Sequence, residues 1–471
     1  RRTLFFFQAE DGIRDRSPSR GLGDVYKRQV LILMNIKKSN SLKERARKVV
    51  PHLTGTFSRA AGAFVEGVYP VYAKSANGSH FFDVDGNEYI DYAMSLGPIT
   101  LGHNYEPMNQ AIINQLKEGI LFSLPHPIEV ELSEKISQII PHADMVKFEK
   151  TGSNAVTGAV RAARAYTNRE KIAYCGSGGV WHDWQAAMVS RDNGVPKFNS
   201  QLIKIFDYND IEGLEQIFED NKEEIASVVL EPTIYEQPKN EFLKKVRKLC
   251  NDNNSLLILD EIVTGFRFDL GGGQKFFDIK GDLVCFGKGM GNGLPISAIT
   301  GPSEYMKTFD KLWVSSTNNS ENISLAGAYA VINEMEQKKT IPYCWSTGKK
   351  LLEGWNKIVT KYHIDAKMYG YPIRMHLQCF DSNKQKSLEM QSLLLQEMVK
   401  QGIFMSVLGA SFMSYSHSES DIEKTLSSLE NACEFLTKKV KNENYAEFIE
   451  GDLPKTIWSM KILPTKKLSK A

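Results

Sequence analysis

Two residues stand at the ends of short apolar runs in a way that suits amine and carbonyl chemistry. Ser255–Leu259 is followed by Asp260-Glu261, and Leu283–Phe286 by Gly287-Lys288-Gly289. Apolar runs of this length, closed by turn residues, read as buried strands of a parallel sheet. Ligands of such sheets sit beyond the strand C-termini. Asp260 and Lys288, 28 residues apart, then point into one crevice. A carboxylate held against a protonated pyridine nitrogen keeps that ring cationic and able to store electrons. A lysine beside it can form a Schiff base with an aldehyde and move protons. These are a protein's contributions to pyridoxal 5′-phosphate (PLP) chemistry, and glycines around Lys288 would let the cofactor approach the backbone.

Two plainer readings stand beside this one. A strand ending in Asp-Glu also resembles a Walker B strand, which requires G-x-x-x-x-G-K-[ST] upstream, and this sequence has no such motif. Lys288 also fits a surface lysine in a glycine-rich turn. A second stretch bears on the choice: Lys150-Thr151-Gly152-Ser153-Asn154-Ala155 runs into a helix expected over Val156–Tyr166. A Gly-Ser pair opening a helix offers free N–H groups, a hydroxyl and the positive end of the dipole to a phosphate. The same residues serve equally as an ordinary Ser/Asn N-cap. Trp181-His182 follows a glycine-rich turn, Gly176–Gly179. Trp181 fits either a ring stacked on a flat ligand or a core tryptophan, and His182 either a catalyst or a structural residue. A Thr in the polar loop Ser315–Asn322 could reach a phosphate or cap the helix that follows.

The elements that carry these residues follow from pattern. Ala226–Leu230, ending in Glu231-Pro232, is a further buried strand, and Ile296–Gly301 another. Val71–Tyr92 holds two turn dipeptides, Asn77-Gly78 and Asp85-Gly86, and reads as an antiparallel ribbon. Helices are expected over Asn104–Glu118, Pro127–Ile140, Glu241–Asn251 and Ser324–Glu336, with a weak helical pattern over 40–68. From about Leu351 the texture changes. A helix, short strands at Arg374–Phe380 and Phe412–Ser416, and a helix over Asp421–Lys438 make a smaller α+β unit.

The 471 residues are 42% hydrophobic and 24% charged, ordinary for a globular protein, and enough for about two to three domains. A net charge of +2 implies no strong field for nucleic acid or an anionic membrane. Six scattered cysteines form no C-x-x-C pair, so neither a metal site nor a disulfide framework is suggested. Reduced cysteines in a cytoplasm are the default. The first 33 residues lack any sustained period and resemble translated sequencing-adapter DNA. Met34 fits a native start, with a genuine disordered arm as the alternative. The apolar pieces Leu4–Phe7 and Val30–Leu33 are too short for a membrane span.

Several stretches together resemble the class III PLP-dependent aminotransferases, and within them glutamate-1-semialdehyde 2,1-aminomutase and its relatives. They are FFDVDGNEYIDYAMSLGPITLGH (81–103), MVKFEKTGSNAVTGAVRAARAYTNREKI (145–172), VVLEP (228–232), LLILDEIVTGFR (256–267), LVCFGKGMGNGLPISAITG (283–301), SSTNNSENISLAGAYAV (315–331) and SYSHSESDIEKTL (414–426). The resemblance implies an α/β enzyme of fold type I, with a large domain on a mostly parallel seven-stranded sheet and a small α+β domain built from both chain ends. It implies a homodimer with active sites at the interface. Lys288 would be the aldimine lysine and general base, and Asp260 the partner of the pyridine nitrogen. Gly152, Ser153 and Asn154 would lie at the phosphate, with Thr317 reaching the phosphate of the neighbouring subunit's cofactor. Trp181 and Ile262 would cover the two ring faces, and His182 and Glu231 match further family positions. The domains expected are 34–95 with 346–440 as the small domain, 96–345 as the large one, and 441–471 as a peripheral tail.

The chain departs from the aminomutase pattern in several places. Asn154 stands for a glutamate, Trp181-His182-Asp183 for Y-H-G, and Gly291-Asn292-Gly293 for three glycines. The stretch Tyr371-Pro372-Ile373-Arg374 looks more like relatives in surface-polysaccharide or nucleotide-sugar biosynthesis. Arg374 fits either a holder of a substrate carboxylate or a plain surface arginine. The expected function is therefore a class III aminotransferase of the aminomutase type acting on a small amino or oxo compound. Its rivals are a transaminase of an oxo-sugar or other oxo compound, and a PLP-binding protein without turnover.

Overall fold

The computed structural model of the chain describes residues 35–176 and 184–455. It is an α/β fold centred on a seven-stranded, mostly parallel sheet. The spatial order is Met145–Glu149, Ser297–Gly301, Leu283–Phe286, Leu256–Glu261, Ile225–Leu230, Lys171–Cys175 and Ile203–Phe206. Only Ser297–Gly301 runs antiparallel to its neighbours.

Every residue of Ile225–Leu230 and Leu256–Glu261 is buried, which is why these strands read as unbroken apolar runs. Alternate side chains enter opposite faces. Val228, Leu230, Leu257 and Leu259 join one core with the helix Phe242–Asp252. Val229, Leu256 and Ile258 join the other with the helix Gly152–Thr167. The same parity carries Asp260 to the face of the second core.

Two smaller sheets lie outside this layer. Ala73–Asn77, His80–Asp83 and Glu88–Asp91 form an antiparallel ribbon, whose free edge is closed by Ile403–Phe404 running parallel to Glu88–Asp91. Ala366–Tyr371, Arg374–Cys379 and Ser411–Phe412 form the other. The helix Glu419–Lys439 opens with a reciprocal capping box between Ser418 and Asp421. Ser79 and His80 of the ribbon bind the same Asp421 carboxylate at 2.8 and 2.9 Å. Among the described residues no helix is long and apolar enough to cross a membrane.

Some elements escape the sequence pattern for physical reasons. Met145–Glu149 and Ile203–Phe206 are the two edge strands, and each carries a lysine, Lys147 or Lys204, that breaks its apolar run. The helix Leu388–Val399 is buried from Met390 onward, so it has no polar face and no amphipathic period. Phe412–Ser416, expected as a strand, pairs only over Ser411–Phe412. Beyond it the Ser414 amide donates to His417 Nδ1 (3.0 Å) and the chain turns. The weak helical pattern over 40–68 resolves into the helix Lys37–Ala46 and short turns.

Candidate active site

Asp260 and Lys288 come together because their strands are neighbours. Asp260 lies opposite Cys285 and Glu261 opposite Phe286, so Lys288, two residues further on, falls beside the Asp260 end. Asp260 is buried, and among the described residues its only hydrogen bond comes from the Ile262 amide, at 3.1 Å. Burial, then the nearby Glu231 charge, pushes its carboxyl well above the usual carboxylate range; Lys288 offsets only part of this. Burial in turn pulls the Lys288 amine down, against Glu231 and Asp260. The Lys288 backbone has φ +34°, a left-handed conformation that is costly for a residue with a side chain.

Glu261, the next residue, is used differently. Its carboxylate accepts the Thr264 hydroxyl (2.6 Å) and the amides of Gly273 (2.6 Å) and Gln274 (2.5 Å). It ties the loop after the strand to the following turn.

The helix Gly152–Thr167 begins at the same place. Thr151 is its N-cap: its Oγ1 accepts the Asn154 amide (3.2 Å) and donates to Asn154 Oδ1 (2.7 Å). The cap is thus Thr151 rather than Ser153 or Asn154, and the Asn154 side chain is engaged in it. The amides of Gly152 and Ser153 lie in the first turn, where no intrahelical acceptor exists. A side chain at Gly152 would stand 2.9 Å from Ile262 Cδ1, and one at Gly287 3.2 Å from the same atom. Ile262 therefore lies between the helix start and the lysine turn, and gathers Gly152, Asp260 and Lys288 around it.

Glu231 follows the next strand, Ile225–Leu230. It accepts Arg374 Nη1 at 2.9 Å, with the arginine side chain 9% and the glutamate 4% exposed. Arg374 is therefore no surface arginine. Both charges act on the Lys288 amine. Thr317 is exposed, on a loop anchored by Asn319 to Glu149 (2.9 Å) and by Glu321 to Lys150 (2.7 Å). Among the described residues no hydrogen bond joins it to the Gly152–Lys288 group. Trp181 and His182 lie outside the described residues.

Two positioning residues are not evident from the sequence. Arg267 is buried, donates to the carbonyls of Val263 (3.1 Å) and Gly97, and lies 4.8 Å over the Phe412 ring. Burial lowers its pKa to about 10. Asn292 accepts the amides of Thr100 (2.8 Å) and Leu101 (2.9 Å) and donates to Gly102 O (3.0 Å). That accounts for an asparagine between two glycines: it fastens the loop Ser95–His103 to the lysine turn. Its departure from a run of glycines was the available signal.

Known proteins resemble this arrangement over most of the chain. The pattern of the aminotransferase class-III family matches residues 63–433. A 3-aminobutyryl-CoA aminotransferase of Cloacimonas acidaminovorans is 33% identical over 84% of this chain and 96% of its own length. A glutamate-1-semialdehyde 2,1-aminomutase of Alkaliphilus oremlandii is 34% identical over 86% of this chain and 100% of its own. Among solved structures, the FumI protein of Sphingopyxis sp. MTA144, in its PLP internal aldimine form, superposes with TM-score 0.81 at 23% identity over 88% of this chain and 98% of that one. A glutamate-1-semialdehyde-aminomutase from Pseudomonas aeruginosa PAO1 does so with TM-score 0.74 at 15% identity, over 85% and 94%. With strand-end Asp260 and Lys288, a glycine-opened helix beside them and a family match across 371 of its residues, the chain belongs to the class-III aminotransferases.

Proposed function

We propose that the protein is a PLP-dependent enzyme of the glutamate-1-semialdehyde 2,1-aminomutase type, moving an amino group between an amine and an oxo compound. The observation that carries this is the convergence of Gly152, Asp260 and Lys288 around Ile262. Asp260 is a buried carboxylate with no cation bonded to it among the described residues, which suits a protonated ring nitrogen. Gly152 leaves no room for a side chain, which suits close approach of a ligand to the backbone. The residues present therefore fit the cofactor. PLP, when bound, supplies an aldehyde with which an amine condenses and a cationic ring that stores electrons.

In this reading the Asp260 carboxylate would hold the proton of the ring nitrogen. The amides of Gly152 and Ser153 would hold the phosphate, and Asn154, through Thr151, keeps that turn in shape. Ile262 and, by the family resemblance, Trp181 would cover the two ring faces, and His182 and Glu231 match further positions of the family's site. Lys288 Nζ, its basicity lowered by burial, would be the base that takes the proton from the carbon bearing the amino group and the acid that gives it back.

A second copy of the chain completes the site in this proposal. Ile113, Leu116, Ile120, Leu121, Phe122 and Leu124 form an exposed apolar run, and the Ile120 carbonyl accepts the Asn322 amide at 2.8 Å, beside the Thr317 loop. This supports a homodimer in which Thr317 reaches the phosphate held by the other copy. Six buried, unbridged cysteines support a reducing, cytoplasmic location.

The test is the absorbance spectrum of the PLP-loaded protein during titration with amines. A band near about 420 nm that moves toward about 330 nm names the amino donor. Movement with glutamate-1-semialdehyde alone marks a mutase. Movement only with an external donor marks a transaminase of another oxo compound, an oxo-sugar or an acyl-CoA among them; the 33% identity to a 3-aminobutyryl-CoA aminotransferase favours keeping that second reading. A band that no amine moves leaves a PLP-binding protein without turnover, and no band overturns the proposal.

A further inference from the structure

The loop Ser95–His103 is hydrogen-bonded on two sides at once. Toward the lysine turn, residues 287–293, Thr100 and Leu101 give their amides to Asn292 Oδ1, Asn292 Nδ2 donates to Gly102 O, and the Thr100 hydroxyl donates to Gly289 O at 3.2 Å. On the other side, Thr100 O accepts the Tyr415 amide (2.8 Å) and Leu101 O accepts the Ser416 hydroxyl. His103 and Gly78, at the tip of the ribbon, exchange two backbone bonds of 2.7 and 2.9 Å. Thr100 and Leu101 therefore hold the lysine turn by their N–H groups and the Tyr415 and Ser416 stretch by their C=O groups.

Asn292 is the hinge point of this arrangement. Among the described residues it is the one side chain of the turn that hydrogen-bonds to the loop, and it is buried, 3% exposed. Both acceptor positions of its amide oxygen are taken. Contacts between carbon atoms close the same gap: a side chain at Gly289 would stand 3.2 Å from Thr100 Cγ2, and one at Gly293 2.9 Å from Ile99 Cδ1. The turn cannot move toward the loop, and Asn292 keeps it from moving away. Lys288 and Asn292, with φ +34° and +45°, are left-handed, a conformation that residues with side chains keep only where their surroundings fix it. The charges acting on the Lys288 amine are Glu231, Asp260, Arg374 and Arg267, and none of them lies on the turn. A turn that shifts moves Nζ relative to all four.

We propose that the loop Ser95–His103 is a strap through which Ser416 and the ribbon tip bear on the reacting lysine, and that Asn292 is the residue that transmits their hold. This rests on the reading of Lys288 as the reacting amine.

The test is hydrogen exchange, read by mass spectrometry on segments 95–103 and 287–294 of the PLP-loaded protein, in the parent, Asn292→Gly, Ser416→Ala and the double variant. Glycine adopts a left-handed conformation without strain, so Asn292→Gly removes the three bonds and leaves the turn able to form. It should speed exchange about tenfold or more in both segments. Ser416→Ala, which alters only the far side of the loop, should speed exchange at 287–294 about threefold in the parent and leave it unchanged when Asn292 is already glycine. The pH midpoint of the band near about 420 nm should move by about half a unit or more in Asn292→Gly, which a merely structural asparagine would not cause. Should Asn292→Gly fail to fold, Thr100→Val takes its place: it removes only the bond to Gly289 O, and should speed exchange at 287–294 about threefold and move the midpoint. Exchange at 287–294 that ignores Ser416→Ala, effects of the two substitutions that simply add, or an unmoved midpoint overturns the strap. Each of those results comes from a protein that still shows the band, and leaves the cofactor reading standing. Absence of the band in the unaltered protein overturns that reading, and the strap with it.

Discussion

Asp260 and Lys288 are placed by backbone: adjacent parallel strands in register deliver both to one end of the central sheet. The Glu231–Arg374 seam is placed by side chains. Its partners are 143 residues apart, and their ion pair, with Tyr235, Tyr369 and His376, holds the loop after Ile225–Leu230 to the hairpin Ala366–Cys379. A residue placed by a hydrogen-bonded ladder keeps its position when its neighbours change. A residue placed by another side chain shifts when either partner is replaced. The first arrangement suits a group that must meet a reacting atom within fractions of an ångström. The second makes the seam sensitive to a change in either partner, so that its residues are expected to couple when they are replaced.

Substitutions at the two regions should separate accordingly. Lys288→Ala is expected to lower turnover by about four orders of magnitude or more, measured as amine–oxo exchange, with PLP still retained through dialysis. Appreciable exchange in that variant would move the proton transfer to another group. Arg374→Met removes the cation that is hydrogen-bonded to the buried Glu231 carboxylate, which should cost about 3–5 kcal/mol of stability in urea unfolding. Adding Glu231→Leu should return most of it. An Arg374→Met protein that unfolds like the parent would mean that the seam is held by its aromatic rings alone.

The smallest effect is expected far from both regions, where the ribbon meets the Glu419–Lys439 helix. The hydrogen bond to Asp421 raises the His80 pKa against the opposing effect of burial. Burial pushes Asp421 up, but His80, the Ser418 amide and Ser79 hold it below the usual carboxylate range. The His80 contribution is full below its unfolded pKa of about 6.5 and fades as pH rises through the higher folded value. The Asp421 contribution is present above about 3.9 and fades as pH falls. His80→Asn should therefore cost roughly 0.5–1 kcal/mol at pH 5.5 and less at pH 8.5. Equal costs at the two pH values would remove charge from the explanation.

Legibility in the sequence divides along the same line. Asp260 and Lys288 can be read because fully buried strands leave unbroken apolar runs whose ends are visible. The start of the Gly152 helix can be read too, but its cap cannot, since threonine, serine and asparagine all serve there. Nothing local in Arg374-Met375-His376 announces a carboxylate 143 residues upstream, so the arginine could be read as exposed. The roles of Arg267 and Asn292 depend on loop carbonyls and amides that only the folded chain brings near. The Leu388–Val399 helix hides because it has no wet side.

The pairing of Glu88–Asp91 with Ile403–Phe404 sets a clock on synthesis. Ile90 waits for a partner about 310 residues further along. On a ribosome adding about 5–20 residues per second, that is roughly 15–60 s during which the ribbon has an open edge. An open edge is a template for a foreign strand. Charges at both ends of this one, on Glu88 and Asp91, work against such pairing until the right segment emerges. A chain halted before residue 403 keeps that edge open permanently, and is the form most prone to pair with another copy of itself.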